Sequence, residues 1–453
     1  MSKRKLESNA GMHPSNPYYN NKPDFVALAE LYPSLKPFLI FKTEKSRGSV
    51  SQATINFRDP VALRELTYCL LKRDFSIQLD IPLDSLCPPI PNRLNYVCWI
   101  EDLMKNDTKK DIYGIDIGTG ASSIAFANKN ISTNHLEQTI TVMKITSSEI
   151  FQDALFQDGN NCYDFSMCNP PFYESEQDIQ GSFMGKEDRP SAVCQGTSNE
   201  MITKGGEVQF VKQMVDESSS RRERIRWYTS MLGKRGSVDE ITAYLREKKI
   251  LNYTLTTFRQ GQTNRWAIAW SYGEERPSWA SMQHISSKMI KLAPPATILS
   301  FVNKELTIEN AIGRIETILD QLLVDQVLED NEAQDQREPA IFRCRVRRNT
   351  WSRAARRAIA RQKLASKGSA KDATGNIERP SEPVILEFDL RVVPIFPKHP
   401  SPSSSGPTES TGVTALGLSI EQIWTSGLDR GLFESFFLHL KSEVNKGPLE
   451  DTP

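Results

Sequence analysis

Residues Ile112-Tyr113-Gly114-Ile115-Asp116-Ile117-Gly118-Thr119-Gly120 read as a buried strand that runs straight into a glycine turn. Glycines at such a strand end let the backbone approach a ligand closely, and the helix start that follows offers free amide donors. Taken alone, the turn fits a plain tight turn equally well. Its surroundings repeat the strand–helix alternation. Val50 to Phe57, Thr139 to Ile145, Tyr163 to Cys168, Ile225 to Leu232, Tyr253 to Phe258 and Arg265 to Tyr272 read as strands, and Ile77-Leu79-Ile81 alternates briefly. The pattern Phe25, Leu28, Ala29, Tyr32, the stretch Ala62 to Leu71 and the stretch Gly206 to Ser219 are helical, while 173–204, rich in Gly, Ser, Asp and Gln, reads as a mobile loop. This alternation predicts an α/β sheet with helices on both faces.

The third of those strands ends in Asn169-Pro170-Pro171-Phe172. The asparagine amide oxygen can accept a hydrogen bond from an amino group. The prolines donate nothing and stiffen the loop, so its carbonyls can face the same amine. Phe172 supplies a face for a planar base. Two acceptors converging on a planar amine would align its nitrogen lone pair with an electrophile, mainly by positioning. A Pro-Pro pair can also simply end a strand; it is the glycine turn and this tetrapeptide together that point to chemistry.

Together the two motifs resemble those of S-adenosylmethionine-dependent N6-adenine methyltransferases. The flanks Pro23-Asp24-Phe25, Asn56-Phe57-Arg58-Asp59-Pro60, Arg93-Leu94-Asn95-Tyr96, Trp99-Ile100-Glu101-Asp102-Leu103, Gly205-Gly206-Glu207, Arg226-Trp227-Tyr228 and Arg265-Trp266-Ala267-Ile268-Ala269-Trp270 resemble the methyltransferase-like protein 16 family from residue 20 to about 272. That resemblance implies a Rossmann-like class I methyltransferase domain and S-adenosyl-L-methionine as cofactor. It also implies methylation of adenine N6 in U6 small nuclear RNA and structured messenger-RNA hairpins, in the nucleus, with the cytoplasm open as well. By motif, Asn169, Pro170, Pro171 and Phe172 would form the catalytic pocket. Arg93, Asp116, Gly118, Gly120 and Asn169 would contact the cofactor, and Arg58 and the arm Lys3-Arg4-Lys5 would contact RNA. An isolated arginine is more often solvated surface, and a basic terminus is as often a solubilising tail. The pocket alone also fits a glutamine amide, leaving a protein glutamine methyltransferase as a further reading.

One count departs from the pattern. A doubly wound cofactor domain needs a second strand ending in an acidic residue about 20 residues after the glycines, to hold the ribose hydroxyls. Only 49 positions separate Gly120 from Asn169, with one strand signal before the Asn-Pro-Pro-Phe strand, and Ala125 to Asn130 reads as a helix joined almost directly to Ser123. Glu137 has the right spacing but precedes a strand. One strand–helix unit is therefore expected to be missing. The segment Thr146-Ser147-Ser148-Glu149 also lacks the lysine of that family's inhibitory loop. Two explanations stand: a skipped coding segment, or a chain that binds RNA and holds cofactor weakly or not at all. The chain as written is expected to bind S-adenosylmethionine weakly.

The composition changes near residue 290. Residues 304–338 carry ten acidic and three basic side chains, with Ile308, Ile312, Ile315, Leu319 and Leu322 at helical spacing. Residues 341–371 carry eleven basic side chains and no acidic one. Phe342, Cys344 and Val346 alternate with Arg343, Arg345 and Arg347, a strand with one cationic face, and Trp351 to Ala365 reads as a helix bearing Arg353, Arg356, Arg357 and Arg361. Arginine matches phosphate geometry, so this patch suits RNA. A nuclear-import signal, or a partner for the acidic helix, would use the same residues. A strand from Val384 to Ile395 and a closing helix from Ser419 to Val444 complete an α+β module, and short similarities at Ile423-Trp424 and Leu432 to Phe436 resemble the C-terminal RNA-binding region of the same family. The expected organisation is a basic arm 1–23, a methyltransferase domain 24–287, a module 288–446 with loops 367–382 and 397–412, and a tail 447–453. The 56 basic and 56 acidic residues cancel overall, but they are unevenly distributed. Seven unpaired-looking cysteines, no secretory signal and no long apolar run predict reduced thiols and no membrane partner; scattered histidines predict no metal site.

Overall fold

The computed structural model describes residues 12–41, 53–82, 85–87, 89–105, 111–118, 123–144, 148–152, 156, 162–184, 198–260, 263–282, 289, 291–294, 297–329, 339–357, 361, 382–396 and 416–446. The chain divides into two compact units, 1–273 with 277–294, and 274–276 with 295–453. The Lys3-Arg4-Lys5 arm, Gly120 and most of the expected loops 367–382 and 397–412 lie outside the described residues.

The first unit opens with helix α1 (Phe25–Leu31), whose N-terminus is capped by Asp24 accepting from the Val26 and Ala27 amides. A small antiparallel pair follows, β1 (Leu39–Phe41) with β2 (Ala53–Ile55). Asp59 caps α2 (Pro60–Phe75), with Pro60 in the first turn, where its missing N–H costs nothing. Helix α3 (Ile90–Leu103) comes next, then β3 (Gly114–Ile117), α4 (Ser123–Thr133) and β4 (Tyr163–Cys168). The remainder is α5 (Glu176–Met184), the short α6 (Ser198–Met201), α7 (Gly206–Arg221), β5 (Ile225–Leu232), α8 (Arg235–Glu247), β6 (Tyr253–Gln260) and β7 (Thr263–Trp270). The strand order is β3-β4-β5-β7-β6, parallel through β5 and antiparallel beyond.

Both faces of this sheet are covered. Tyr96, Trp99 and Leu103 of α3 pack with Trp227, Met231, Phe258 and Ala267. Val211, Met214 and Val215 of α7 and Val238, Ile241 and Leu245 of α8 pack with Tyr228, Leu232, Ile268 and Trp270. Burying each large apolar side chain contributes roughly 1.5–3 kcal/mol, and β5, almost wholly buried, collects the most of it.

Four sequence expectations are corrected. Thr139 to Lys144 is not a strand, and Ile140 and Met143 are exposed. In a doubly wound sheet the third strand pairs with the second, not the first, so with no second strand among the described residues this segment has no ladder to join. Residues 77–81 are not a strand either; they form the docking line for α4. Asn134 exchanges two hydrogen bonds with the Gln78 backbone (2.8 and 2.7 Å) and Asn130 two with Asp80 (2.8 and 3.0 Å), while Lys129 pairs with the Asp80 carboxylate. Asn130 and Asn134 are one helical turn apart and imitate a strand edge. The expected loop 173–204 contains α5 and α6, and α8 had no sequence assignment.

The fourth correction lies in the second unit. Its antiparallel sheet has the order β8-β12-β11-β10-β9: β8 (Ile298–Asn303), β9 (Asp325–Leu328), β10 (Ala340–Val346), β11 (Leu386–Ile395) and β12 (Gly417–Ser426). Helix α9 (Ile308–Gln321) and helix α10 (Arg430–Val444, capped by Asp429) complete it. Ser419 to Ser426 is thus a strand, not the start of the closing helix. It pairs with β8 and β11, and Leu418, Ile420 and Trp424 enter a core with Phe388, Phe433 and Phe436. Residues 274–276 belong here through a bridge from Glu275 to Ser426 and the Arg276 guanidinium stacked 3.9 Å over Trp424.

Candidate functional site

The three parallel strands of the first unit end on one side, where open α/β sheets hold their ligands. Gly114 has to be glycine, because an added Cβ would stand 2.2 Å from Phe165 Cζ of the neighbouring strand. Gly118 is different: a Cβ there would meet nothing within 4 Å. The packing of the protein does not demand that glycine, so a ligand's close approach is the better reason for it.

Asp116 ends β3. Solvent reaches it on one side and protein encloses it on the others; that burial raises its carboxyl pKa, and the charge of Arg93 pulls it back down. Arg93, on α3 and half-buried, also acts on the Cys168 thiol, which burial pushes well up. Asp116 pairs with Met167 and Ile117 with Cys168 across the β3–β4 ladder, so Asp116 and the end of β4 are neighbours, and the Arg93 charge reaches both. Cys168 is followed by Asn169, half-buried, the buried Pro170 and Pro171, and the half-buried Phe172.

Phe172 is framed from two directions. Gly233, just past β5, is seated so closely that a Cβ would come within 2.9 Å of Phe172 Cδ1. The Gly233 and Lys234 amides donate to the buried Glu207 carboxylate at 2.6 and 2.9 Å, and the Ser237 hydroxyl donates at 2.6 Å. Burial raises the Glu207 pKa while these donors oppose the shift. The Arg265 guanidinium stands 5.4 Å from the Phe172 ring centroid, a cation–π distance. Glu207 and Arg265 lie in stretches that the family resemblance rested on, yet neither Gly233 nor these two had been given a role. Only the spatial neighbourhood of Phe172 reveals one.

S-adenosylmethionine would fit this site at one end. Arg93 supplies a positive charge near Asp116 that would suit a carboxylate, and the space at Gly118 is open. At the ribose end, among the described residues, no second strand brings an acid beside β3, which is the free edge of its sheet, and Glu137 lies exposed in the turn after α4.

The remaining predicted residues stand apart from this cluster. Arg58 is exposed in the turn between β2 and α2. In the second unit Arg343 pairs with Glu329, Arg345 with Glu387 at 2.9 Å and Arg347 with Asp325 at 3.0 Å. The cationic strand face is therefore a ladder of ion pairs, with Asp325 and Glu329 supplied by the acidic stretch, from β9 and the residue after it instead of from the helix. Arg353, Arg356, Arg357 and Arg361 are exposed, and no carboxylate pairs with them among the described residues.

A family model described as RNA methyltransferase matches residues 6–126 and 122–274, two stretches that meet where the count of residues loses a strand. RNA N(6)-adenosine-methyltransferase mettl16 of Xenopus laevis is 39% identical over 295 residues, covering 59% of this chain and 53% of that protein. The chain thus spans little more than half the length of that relative. The U6 small nuclear RNA (adenine-(43)-N(6))-methyltransferase of Schizosaccharomyces pombe is 34% identical over 339 residues, 68% of this chain and 83% of that one. Among solved structures, the human Mettl16 catalytic domain in complex with MAT2A 3'UTR hairpin 1 superposes with a TM-score of 0.54 at 34% identity, covering 59% of this chain and 98% of that domain. With the family model matched over more than half of its residues, this chain belongs to the RNA methyltransferase family that includes methyltransferase-like protein 16.

Proposed function

We propose that the protein is an RNA adenine-N6 methyltransferase acting on U6 small nuclear RNA and similar structured hairpins in the nucleus. The observation that carries this reading is Asn169–Phe172 at the end of β4, beside Arg93 and Asp116. The cofactor, S-adenosylmethionine, supplies an activated methyl group when bound, with Arg93, Asp116 and Gly118 on its amino-acid side. The Asn169 amide oxygen and the Pro170 carbonyl accept from the two N6 hydrogens, which favours a pyramidal nitrogen whose lone pair is withdrawn from conjugation with the ring and free to face an electrophile. Phe172 stacks the base, and the buried prolines hold the carbonyl still. Positioning, rather than acid–base chemistry, provides the acceleration. The exposed arginines 353, 356, 357 and 361 of the second unit and Arg58 of the first contribute phosphate contacts.

A second reading has its own support. The missing ribose-side strand favours a protein that reads a hairpin while holding cofactor too weakly to methylate it. Methyl incorporation into an adenine-containing U6 hairpin at millimolar S-adenosylmethionine separates the two. The enzymatic reading expects incorporation that Asn169→Ala abolishes; hairpin binding with no incorporation leaves the second reading standing.

A further inference from the structure

We propose that Tyr96 is a positioning residue for the Asn169–Phe172 loop, acting through the Thr229 hydroxyl. The proposal rests on the reading of that loop as the methyl-acceptor pocket. The parallel pairing of β4 with β5 ends at Ser166 and Tyr228, two residues before β4 itself ends. Side chains take over from there. Thr229 Oγ1 donates to the Ser166 carbonyl at 2.7 Å, so its single proton is used. The 2.6 Å contact between Tyr96 Oη and Thr229 Oγ1 must then carry the tyrosine proton. That leaves a Tyr96 lone pair to accept from the Cys168 amide at 3.3 Å.

Every group in this chain is satisfied, and Tyr96 and Thr229 are fully buried. Burial also raises the tyrosine pKa far above its ordinary value, so the hydroxyl keeps its proton. Cys168 is the residue before Asn169, so this bond sets where Asn169 leaves the strand. Arg93 lies three residues before Tyr96 on α3, on the same helical face. One rigid segment therefore bears both the cation on the cofactor side and the hydroxyl that fixes the acceptor loop. The Tyr96 ring packs against Trp99 and Phe258 at 6.2 and 6.1 Å, contacts that phenylalanine would keep.

The test uses the full chain and a U6-type hairpin at saturating S-adenosylmethionine. Single-turnover methyl transfer, hairpin affinity and melting temperature are measured for the parent, Asn169→Ala, Tyr96→Phe, Thr229→Val and Thr229→Ser. Tyr96→Phe and Thr229→Val are expected to slow transfer by about tenfold, the scale of a small misplacement of a reacting group, with hairpin affinity unchanged. Thr229→Ser, which keeps the hydroxyl, should restore the parent rate. A parent-like rate in Tyr96→Phe overturns the proposal. So does a loss that Thr229→Ser shares or that follows a fall in melting temperature, since packing would then be the cause. A parent without Asn169-dependent transfer removes the pocket reading first, and the positioning role falls with it.

Discussion

The two flanks of the first sheet are built to different standards. On the β5–β7–β6 side, Trp227, Tyr228 and Trp270 are fully buried between helices on both faces. On the other side β3 is four residues long, half-exposed, and has no further strand on its outer edge among the described residues. The Asn169–Phe172 loop, proposed as the acceptor pocket, leans on the first flank through Thr229 and Gly233, and the proposed ribose end of the cofactor site falls to the second. With no further strand beside β3 among the described residues, the end of β4 still has its ladder with β3 and side-chain support from Thr229 of β5 and Tyr96 of α3.

The largest test of that contrast is Trp227→Ala against Ile115→Ala. Emptying the Trp227 site should cost about 3–5 kcal/mol in denaturant unfolding, while the half-buried Ile115 on the edge should cost clearly less. Equal costs would break the comparison. Next in size is cofactor affinity. Calorimetric titration should give S-adenosylmethionine a dissociation constant weaker than micromolar, Arg93→Ala should remove the residual binding, and Glu137→Gln should leave it unchanged. Micromolar binding by the parent would mean that the short flank still holds the ribose.

Smaller again, Asn134→Ala should destabilise the unit by about 1 kcal/mol, as expected when two backbone partners lose their hydrogen bonds. The smallest effect concerns Asp116. Its carboxyl pKa is raised in the fold, so the folded state binds its proton more tightly than the unfolded chain does. Its contribution is therefore present at acid pH and lost as pH rises through the raised value. Asp116→Asn should raise the melting temperature at pH 8 and lose that advantage toward pH 4; the opposite trend would put Arg93 pairing ahead of burial.

Much of this was legible in the chain itself. Tyr163–Cys168 and Ile225–Leu232 could be bounded to the residue because alternation or continuous apolar character ends abruptly there. The shortfall of one strand–helix unit is legible as a count of residues, and the two family matches overlap at 122–126, inside the short interval between Gly120 and Asn169. What could not be read depended on distant partners. Thr139 to Lys144 has strand composition but no pairing partner among the described residues. Ser419 to Ser426 allows helix or strand until β8 and β11 flank it. The hydroxyl chain joins residues 133 apart, and the carboxylates facing Arg343 and Arg347 lie across a strand ladder. Composition showed the positive charge of that strand but could not show that it is already compensated.

Asn130 and Asn134 have a consequence for how such a chain tolerates change. They fasten α4 to residues 78–80, which precede the glycine turn in sequence, and not to anything that follows it. The docking of α4 therefore rests on residues that precede the glycine turn in sequence. A change in the length of the segment between the turn and this helix is expected to leave the docking of α4 on residues 78–80 intact.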